Sequence, residues 1–207
     1  VQHVEFGNAD AAEAAIKNLI AVGETVAGMI VEPIQGEAGI VLPADGYLKR
    51  LREICDAYGV FLIFDEIQTG MGRCGTLFAH ESYDVTPDIM TLAKALANGV
   101  PIGAMLATET AAQGFDIGSH ATTFGGTPLA TAAALAVVNI IDDADFLDRV
   151  QKRGDYFKSR LEDLVSRYPE ALSVRGMGLL LGLEVEGDAG SFVARLMKKG
   201  FIINGIQ

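Results

Sequence analysis

Residues 60–66 read Val-Phe-Leu-Ile-Phe-Asp-Glu: five apolar residues running without interruption into two acids. A run this short and this apolar, rich in branched and aromatic residues, suits a strand buried on both faces rather than a helix, which would need ten or more residues. On its N-terminal side stands Gly59, where a left-handed C-cap is wanted. Leu48, Leu51, Ile54, Cys55 and Tyr58 recur before it at helical spacing, with Asp45 near the start. Further upstream, the β-branched run Val26 to Val31 stops at Glu32 and Pro33 and predicts a second buried strand. Strand, helix and strand in that order form a βαβ unit, whose two strands are parallel.

Downstream, Asp88 to Leu92 and Ile102 to Ala107 predict two more strands. Pro128 to Ile141, Ala-rich and apolar almost all round, predicts a helix buried on most sides, with Pro128 at its first turn. After Asp142 the texture changes. A charged amphipathic helix over 146–168 is followed by a strand-like stretch over 174–185, a helix over 191–199 and a last apolar run over 201–203. The fold expected is therefore α/β, a mostly parallel sheet in a large domain over residues 1–145 with a smaller α+β domain over 146–207. Val1 is not a methionine and the chain stops on an uncapped apolar run, so the expectation is of a piece of a longer protein.

Composition narrows the class of function. Half of the 207 residues are apolar, 21% are charged and the net charge is -11. This is the balance of a globular protein with a sizeable core, and it lacks the basic patch that a nucleic acid or an anionic membrane would require. No apolar run approaches the roughly 18 to 20 residues of a bilayer span, and no leader pattern opens the chain, so the cytoplasm is the default compartment. Cys55 and Cys74 fit neither a redox pair nor a zinc spacing and read as reduced thiols; no metal site is expected.

Three stretches can carry chemistry. The first is Asp65-Glu66, delivered by the apolar strand at its C-terminal end, where open α/β sheets bind ligands. These acids could cap a loop, or hold magnesium in a P-loop ATPase, although no GxxxxGK[ST] stretch occurs in the chain. Alternatively, Asp65 could pair with a protonated pyridine nitrogen and make that ring an electron sink. The second is Lys94, the single Lys or Arg between Arg73 and Arg149, set among small apolar residues. An apolar pocket would favour the neutral amine that imine formation needs. The third is His120-Ala121-Thr122-Thr123-Phe124-Gly125-Gly126, where hydroxyls and backbone amides just before a helix suit an anion such as phosphate, or form an ordinary loop and cap. Gly70, Gly72 and Gly75 spell GxGxxG, but no helical stripe follows, so a glycine turn is the better reading. His3 and His80 carry no signal.

In order and spacing, four stretches together resemble the class III aminotransferases of fold-type I. They are Val31-Glu32-Pro33-Ile34-Gln35-Gly36-Glu37-Ala38-Gly39, Phe64-Asp65-Glu66-Ile67-Gln68-Thr69-Gly70, Leu92-Ala93-Lys94 and Thr122-Thr123-Phe124-Gly125-Gly126. The resemblance implies a pyridoxal 5'-phosphate (PLP) enzyme in which Lys94 forms the Schiff base and shuttles the proton. It implies a cofactor site that draws on Asp65, Glu66, Ile67 and Gln68, with Asp65 on the pyridine nitrogen and Gln68 on the phenolic oxygen. Thr123 would reach the phosphate of the neighbouring subunit in a homodimer with shared active sites, Thr122 would help hold substrate, and Glu37 would gate between an ω-amino donor and 2-oxoglutarate. Residues 103–108, 119–124 and 174–182 carry the finer likeness to enzymes of such donors. Where the family usually has Asn after the glycine pair this chain has Thr127, which can still cap the helix. The family's N-terminal phosphate loop, ring-stacking aromatic and carboxylate-binding arginine would precede Val1, so this piece alone is expected to be inactive. A non-catalytic binding protein on the same fold is the reading from a different class; the retained Lys94, Asp65 and Gln68 weigh against it.

Overall fold

The structure is a computed structural model that describes residues 1–206. Its centre is a four-stranded sheet in the order β1 (Gly28–Val31), β2 (Phe61–Asp65), β3 (Ile89–Leu92) and β4 (Ala104–Ala107). The first three strands are parallel and β4 runs antiparallel to β3. The connection from β1 to β2 is helix α2 (Tyr47–Tyr58), and Gly59 closes it in the left-handed conformation (φ 64°), as its position predicts. At the other end of α2 the cap is Gly46, also left-handed, and not the side chain of Asp45.

One core cluster joins Leu48, Leu51, Ile54 and Cys55 of α2 to Leu62 and Phe64 of β2 and to Ala12 and Ile16 of α1 (Ala9–Ala21), a helix the sequence reading passed over. A second joins Met90 and Leu92 of β3 to Leu96, Ala97 and Met71, and to Ala134 of α4 (Pro128–Ile141).

Burial departs from expectation in two places. β1 is the sheet edge, and its Ile30 is 63% exposed, because only β2 has a parallel neighbour on each side. The apolar helix α4 buries only Ala130 and Ala134, while Leu129, Leu135 and Ile140 face outward. An all-round apolar pattern reports how much a helix could bury, and this chain supplies a partner for one stripe only.

After the short helix α3 (Glu109–Ala112) and α4, the long helix α5 (Ala144–Arg167) starts on the Asp143 carboxylate, which accepts from the Phe146 amide at 2.7 Å. The stretch expected as one strand is two, β5 (Ala171–Met177) and β6 (Leu180–Val185), paired antiparallel in a ribbon. The hinge of this ribbon is Gly178 (φ 56°); a side chain there would meet the Cys74 carbonyl carbon at 2.5 Å, and one on Gly154 of α5 would meet the Gly178 oxygen at 2.3 Å. Three backbones thus meet with no side chain between them. Helix α6 (Ala189–Met197) follows, and residues 201–203 form no strand here.

Candidate active site

β2 ends on Asp65, which lies in register with Thr91 of β3. Its carboxylate is half-buried, and Oδ1 accepts from the Ile67 amide at 3.0 Å and from the Thr91 hydroxyl at 3.3 Å. The neighbouring acid turns inward. Glu66 is 1% exposed, and its carboxylate accepts from the Thr69 hydroxyl at 2.6 Å and from the amides of Ala79 and His80 at 2.9 and 2.8 Å. Those amides open the 3₁₀ turn Ala79–Tyr83, where no carbonyl of the turn can reach them, so a buried charge and two orphan donors satisfy one another. The Gly70 amide closes the turn onto the Glu66 carbonyl at 2.9 Å.

This turn holds out Gln68, whose Nε2 donates to Glu37 Oε1 at 2.9 Å. The contact depends on Gly36, since a Cβ at that position would lie 2.5 Å from the Gln68 amide carbon.

Lys94 opens the 3₁₀ turn Lys94–Ala97 that follows β3, with φ of 46°. For a residue with a Cβ this left-handed conformation costs about 1–2 kcal/mol. The expected apolar pocket around the amine is not found. Leu96 and Ala97 are buried in the core, whereas Lys94 is exposed, because the turn directs its apolar residues inward and its first residue outward. Lys94 lines a cavity of about 470 Å³ together with Ile67, Gln68, Gly70, Arg73 and Leu180. A concavity of about 490 Å³ at Glu5 to Asp10 is a wrap of consecutive residues and gathers nothing from separate elements.

The chain therefore brings Ile67, Gln68 and Lys94 to one cavity, with Asp65 at the strand end beside it and Glu37 behind Gln68. Thr122 and Thr123 do not join them. They lie in an exposed loop before α4, where the Thr122 hydroxyl accepts from the Gly125 amide at 3.0 Å and Thr127 caps the helix through the Ala130 amide. Nothing in the local sequence singles out Arg73 or Leu180: Arg73 sits inside a glycine turn, and Leu180 lies 107 residues further along the chain. Gly70, Gly72 and Gly75 make that turn and open no α-helix. His80 is used structurally, its Nδ1 lying 3.0 Å from the Val85 carbonyl. Burial pushes the thiols of Cys55 and Cys74 up to about 11 and about 12, which leaves both protonated. No cluster of metal-ligating side chains occurs among the described residues, and none of the described helices is long and apolar enough to cross a membrane.

The donor set fits PLP. A primary amine stands on an open cavity, and a half-buried carboxylate at the adjacent strand end has one oxygen engaged and, among the described residues, a second without a hydrogen bond. A glutamine amide lies on the same rim.

The chain belongs to the class III aminotransferases: the family described as "Aminotransferase class-III" matches residues 2–207. Enzymes of this family are PLP-dependent. Acetylornithine aminotransferase of Methanocaldococcus jannaschii is 47% identical over 184 residues, which are 89% of this chain and 46% of the relative. Acetylornithine aminotransferase 1 of Bradyrhizobium diazoefficiens is 48% identical over 186 residues, again 89% of this chain and 46% of the relative. Among solved structures, ornithine aminotransferase from Toxoplasma gondii ME49 superposes with a TM-score of 0.92 at 36% identity, covering 100% of this chain and 49% of that one. Acetylornithine aminotransferase from Elizabethkingia anophelis superposes with a TM-score of 0.90 at 35% identity, covering 98% and 54%. The chain spans about half the length of the relatives it matches.

Proposed function

We propose that the complete protein moves the terminal amino group of N-acetylornithine to 2-oxoglutarate, as a cytoplasmic homodimer with shared active sites that serves arginine biosynthesis. The reading is carried by the convergence of Lys94, Asp65 and Gln68 at the C-terminal end of a parallel sheet, in a chain whose relatives bear the name of that activity. Bound there, PLP would supply a ring that accepts the electrons left when the substrate carbon loses its proton.

The protein's own residues do the rest. Lys94, on the rim of the cavity, would hold the cofactor through its Nζ and would be the base that takes the proton from the substrate carbon. Asp65 would hold the pyridine nitrogen in its protonated form, since a carboxylate beside it favours the charged ring. Gln68 would bond the phenolic oxygen, Ile67 lines the same rim, and Glu66 contributes by fixing the turn that presents both. Thr123 would serve the neighbouring subunit's phosphate and Thr122 the substrate, in keeping with their place in an exposed loop that does not line the Lys94 cavity. Glu37 switches the site between amine donor and oxo-acid acceptor. In this reading residues 1–145 belong to the cofactor-binding large domain and 146–207 to the small domain.

Likeness to ornithine aminotransferase structures supports a second reading, in which the donor is ornithine or another ω-amino acid such as 4-aminobutyrate. The test supplies the complete protein with each donor and 2-oxoglutarate, then traps the lysine with borohydride and maps the labelled peptide. N-acetylornithine is expected to give the highest kcat/KM, the label to fall on Lys94, and Lys94→Ala to lower turnover by about 10²–10⁴-fold or more. A preference for ornithine would overturn the donor, and a label on another lysine would overturn the site.

A further inference from the structure

Besides the backbone bond from the Leu179 amide to the Arg73 carbonyl at 2.9 Å, the C-terminal ribbon is tied towards the candidate site by a guanidinium. Arg175 of β5 donates from Nε to the Gly39 carbonyl at 2.6 Å, across 136 residues of sequence, and from NH1 to Glu184 Oε2 at 3.0 Å. Glu184, on β6, accepts the Ser173 hydroxyl at 2.7 Å on the same carboxylate oxygen, so the arginine is held from the ribbon side by a carboxylate that is itself fixed. The Ser173 hydroxyl, and then Arg175, keep the Glu184 carboxyl below the usual range.

What Arg175 grips is the loop carrying Glu37. Gln35 and Val41 exchange backbone hydrogen bonds at 3.0 and 2.9 Å and close the loop's base, and the amides of Gly39 and Ile40 both return to the Gly36 carbonyl at 3.1 Å. Gly39 takes a positive φ (106°) freely, but Ile40 (φ 56°) is β-branched and keeps that conformation only when its surroundings impose it. The ribbon supplies part of that restraint by approaching closely. Gly182, the register partner of Arg175, is bare because a Cβ there would lie 3.1 Å from Ile40 Cγ1. At the other end of the loop Glu37 accepts the Gln68 amide, and Gln68 lines the Lys94 cavity.

We infer that Arg175 is a positioning residue of the active site: through the Gly39 carbonyl it fixes the 35–41 loop and so the Glu37–Gln68 pair on the rim of the Lys94 cavity. The inference rests on the reading of that cavity as the transamination site. It makes the ribbon part of the catalytic apparatus although none of its polar side chains touches the cavity. A lysine cannot replace the arginine, because one ammonium cannot meet the Gly39 oxygen and Glu184 from the two edges of a planar fork.

The experiment is a double-mutant cycle in the complete PLP-loaded protein, comparing Arg175→Ala, Glu37→Ala and the double variant, with Glu184→Gln as a milder change that leaves the arginine in place. Hydrogen exchange of the 35–41 amides is measured on the same proteins with and without PLP. Arg175→Ala is expected to speed exchange at Gly39 and Ile40 by about tenfold or more and to lower kcat/KM by about tenfold, the loss of one charge-assisted hydrogen bond at a partly exposed site. In the Glu37→Ala background it should lower kcat/KM no further, and Glu184→Gln should give a smaller change of the same kind. Losses that multiply in the double variant, or exchange that stays unchanged, would overturn the role of Arg175. If Glu37→Ala is itself silent in kcat/KM, the reading of the cavity fails, and the positioning role in catalysis falls with it even where exchange responds. If Arg175→Ala does not fold, Glu184→Gln and Arg175→Lys carry the same cycle with Glu37→Ala, judged by the same two outcomes.

Discussion

Two stretches of this chain carry the residues that a PLP site would use, and the structure treats them in opposite ways. The turn from Asp65 to Gly70 is pinned: its one buried acid takes three hydrogen bonds, its other acid takes two, and its glutamine reaches a loop from a different part of the sheet. The loop from Ser119 to Thr127 stands in the open, with Phe124 at 85% exposure and only local bonds within it. A chain can pre-organise one half of a site by itself and offer the other half outward. What separates the two is the number of distant elements that each stretch can bind.

The sharpest way to break the contrast is Glu66→Ala. Removing that carboxylate leaves two amides and a hydroxyl without their acceptor, each worth about 1–3 kcal/mol when left unpaired in the interior, read as a fall in the urea midpoint. Thr123→Val should leave stability unchanged within about 0.5 kcal/mol. An equal loss in both variants would show the open loop to be structural after all.

Thr123→Val sharpens the contrast from the other side. It is expected to weaken PLP binding by about 1.5–3 kcal/mol, the range for a hydrogen bond to a charged group. Remixing it with Lys94→Ala subunits should restore activity, because one site of each mixed dimer then carries neither defect. No recovery, with subunit exchange confirmed by mass, would place Thr123 outside the shared site.

The smallest effect concerns the thiols. Cys74 lies beside Gly178, Cys55 lies on the buried face of α2, and burial raises both, so the folded protein keeps protons that the unfolded chain releases above about pH 8.5. Stability is therefore fully present below that pH and falls as pH rises towards 11, with a slope worth less than about 1 kcal/mol per thiol between pH 8 and 9. Cys74→Ala should flatten the slope, and stability that rises with pH in this window would contradict it.

Much of the pinned half was legible in the sequence, because local rules and function agreed there. Val60 to Phe64 could only be a buried strand, and Gly59 had to cap the helix before it. The inward turn of Glu66 was not legible, since two adjacent acids at a strand end look alike until their distant donors are known. α1 was passed over although Asn8 caps it through the Ala11 amide at 2.9 Å: its buried face is Ala12, Ala15 and Ile16, and two alanines make a faint stripe. Arg175 stands in Arg175-Gly176-Met177-Gly178, where no local pattern names a partner, and Gly39, which it binds, lies 136 residues back in the chain. For α4 the pattern told the helix and its Thr127 cap, but exposure depends on what surrounds a helix, which no local pattern records.

The left-handed backbone at Lys94 has a consequence for how this protein could drift. Glycine or asparagine would occupy that conformation more easily than lysine does, so a population selected only for heat tolerance, with no demand for turnover, would be drawn away from the amine at position 94. The lysine is thus a residue that the fold tolerates and only catalysis would keep.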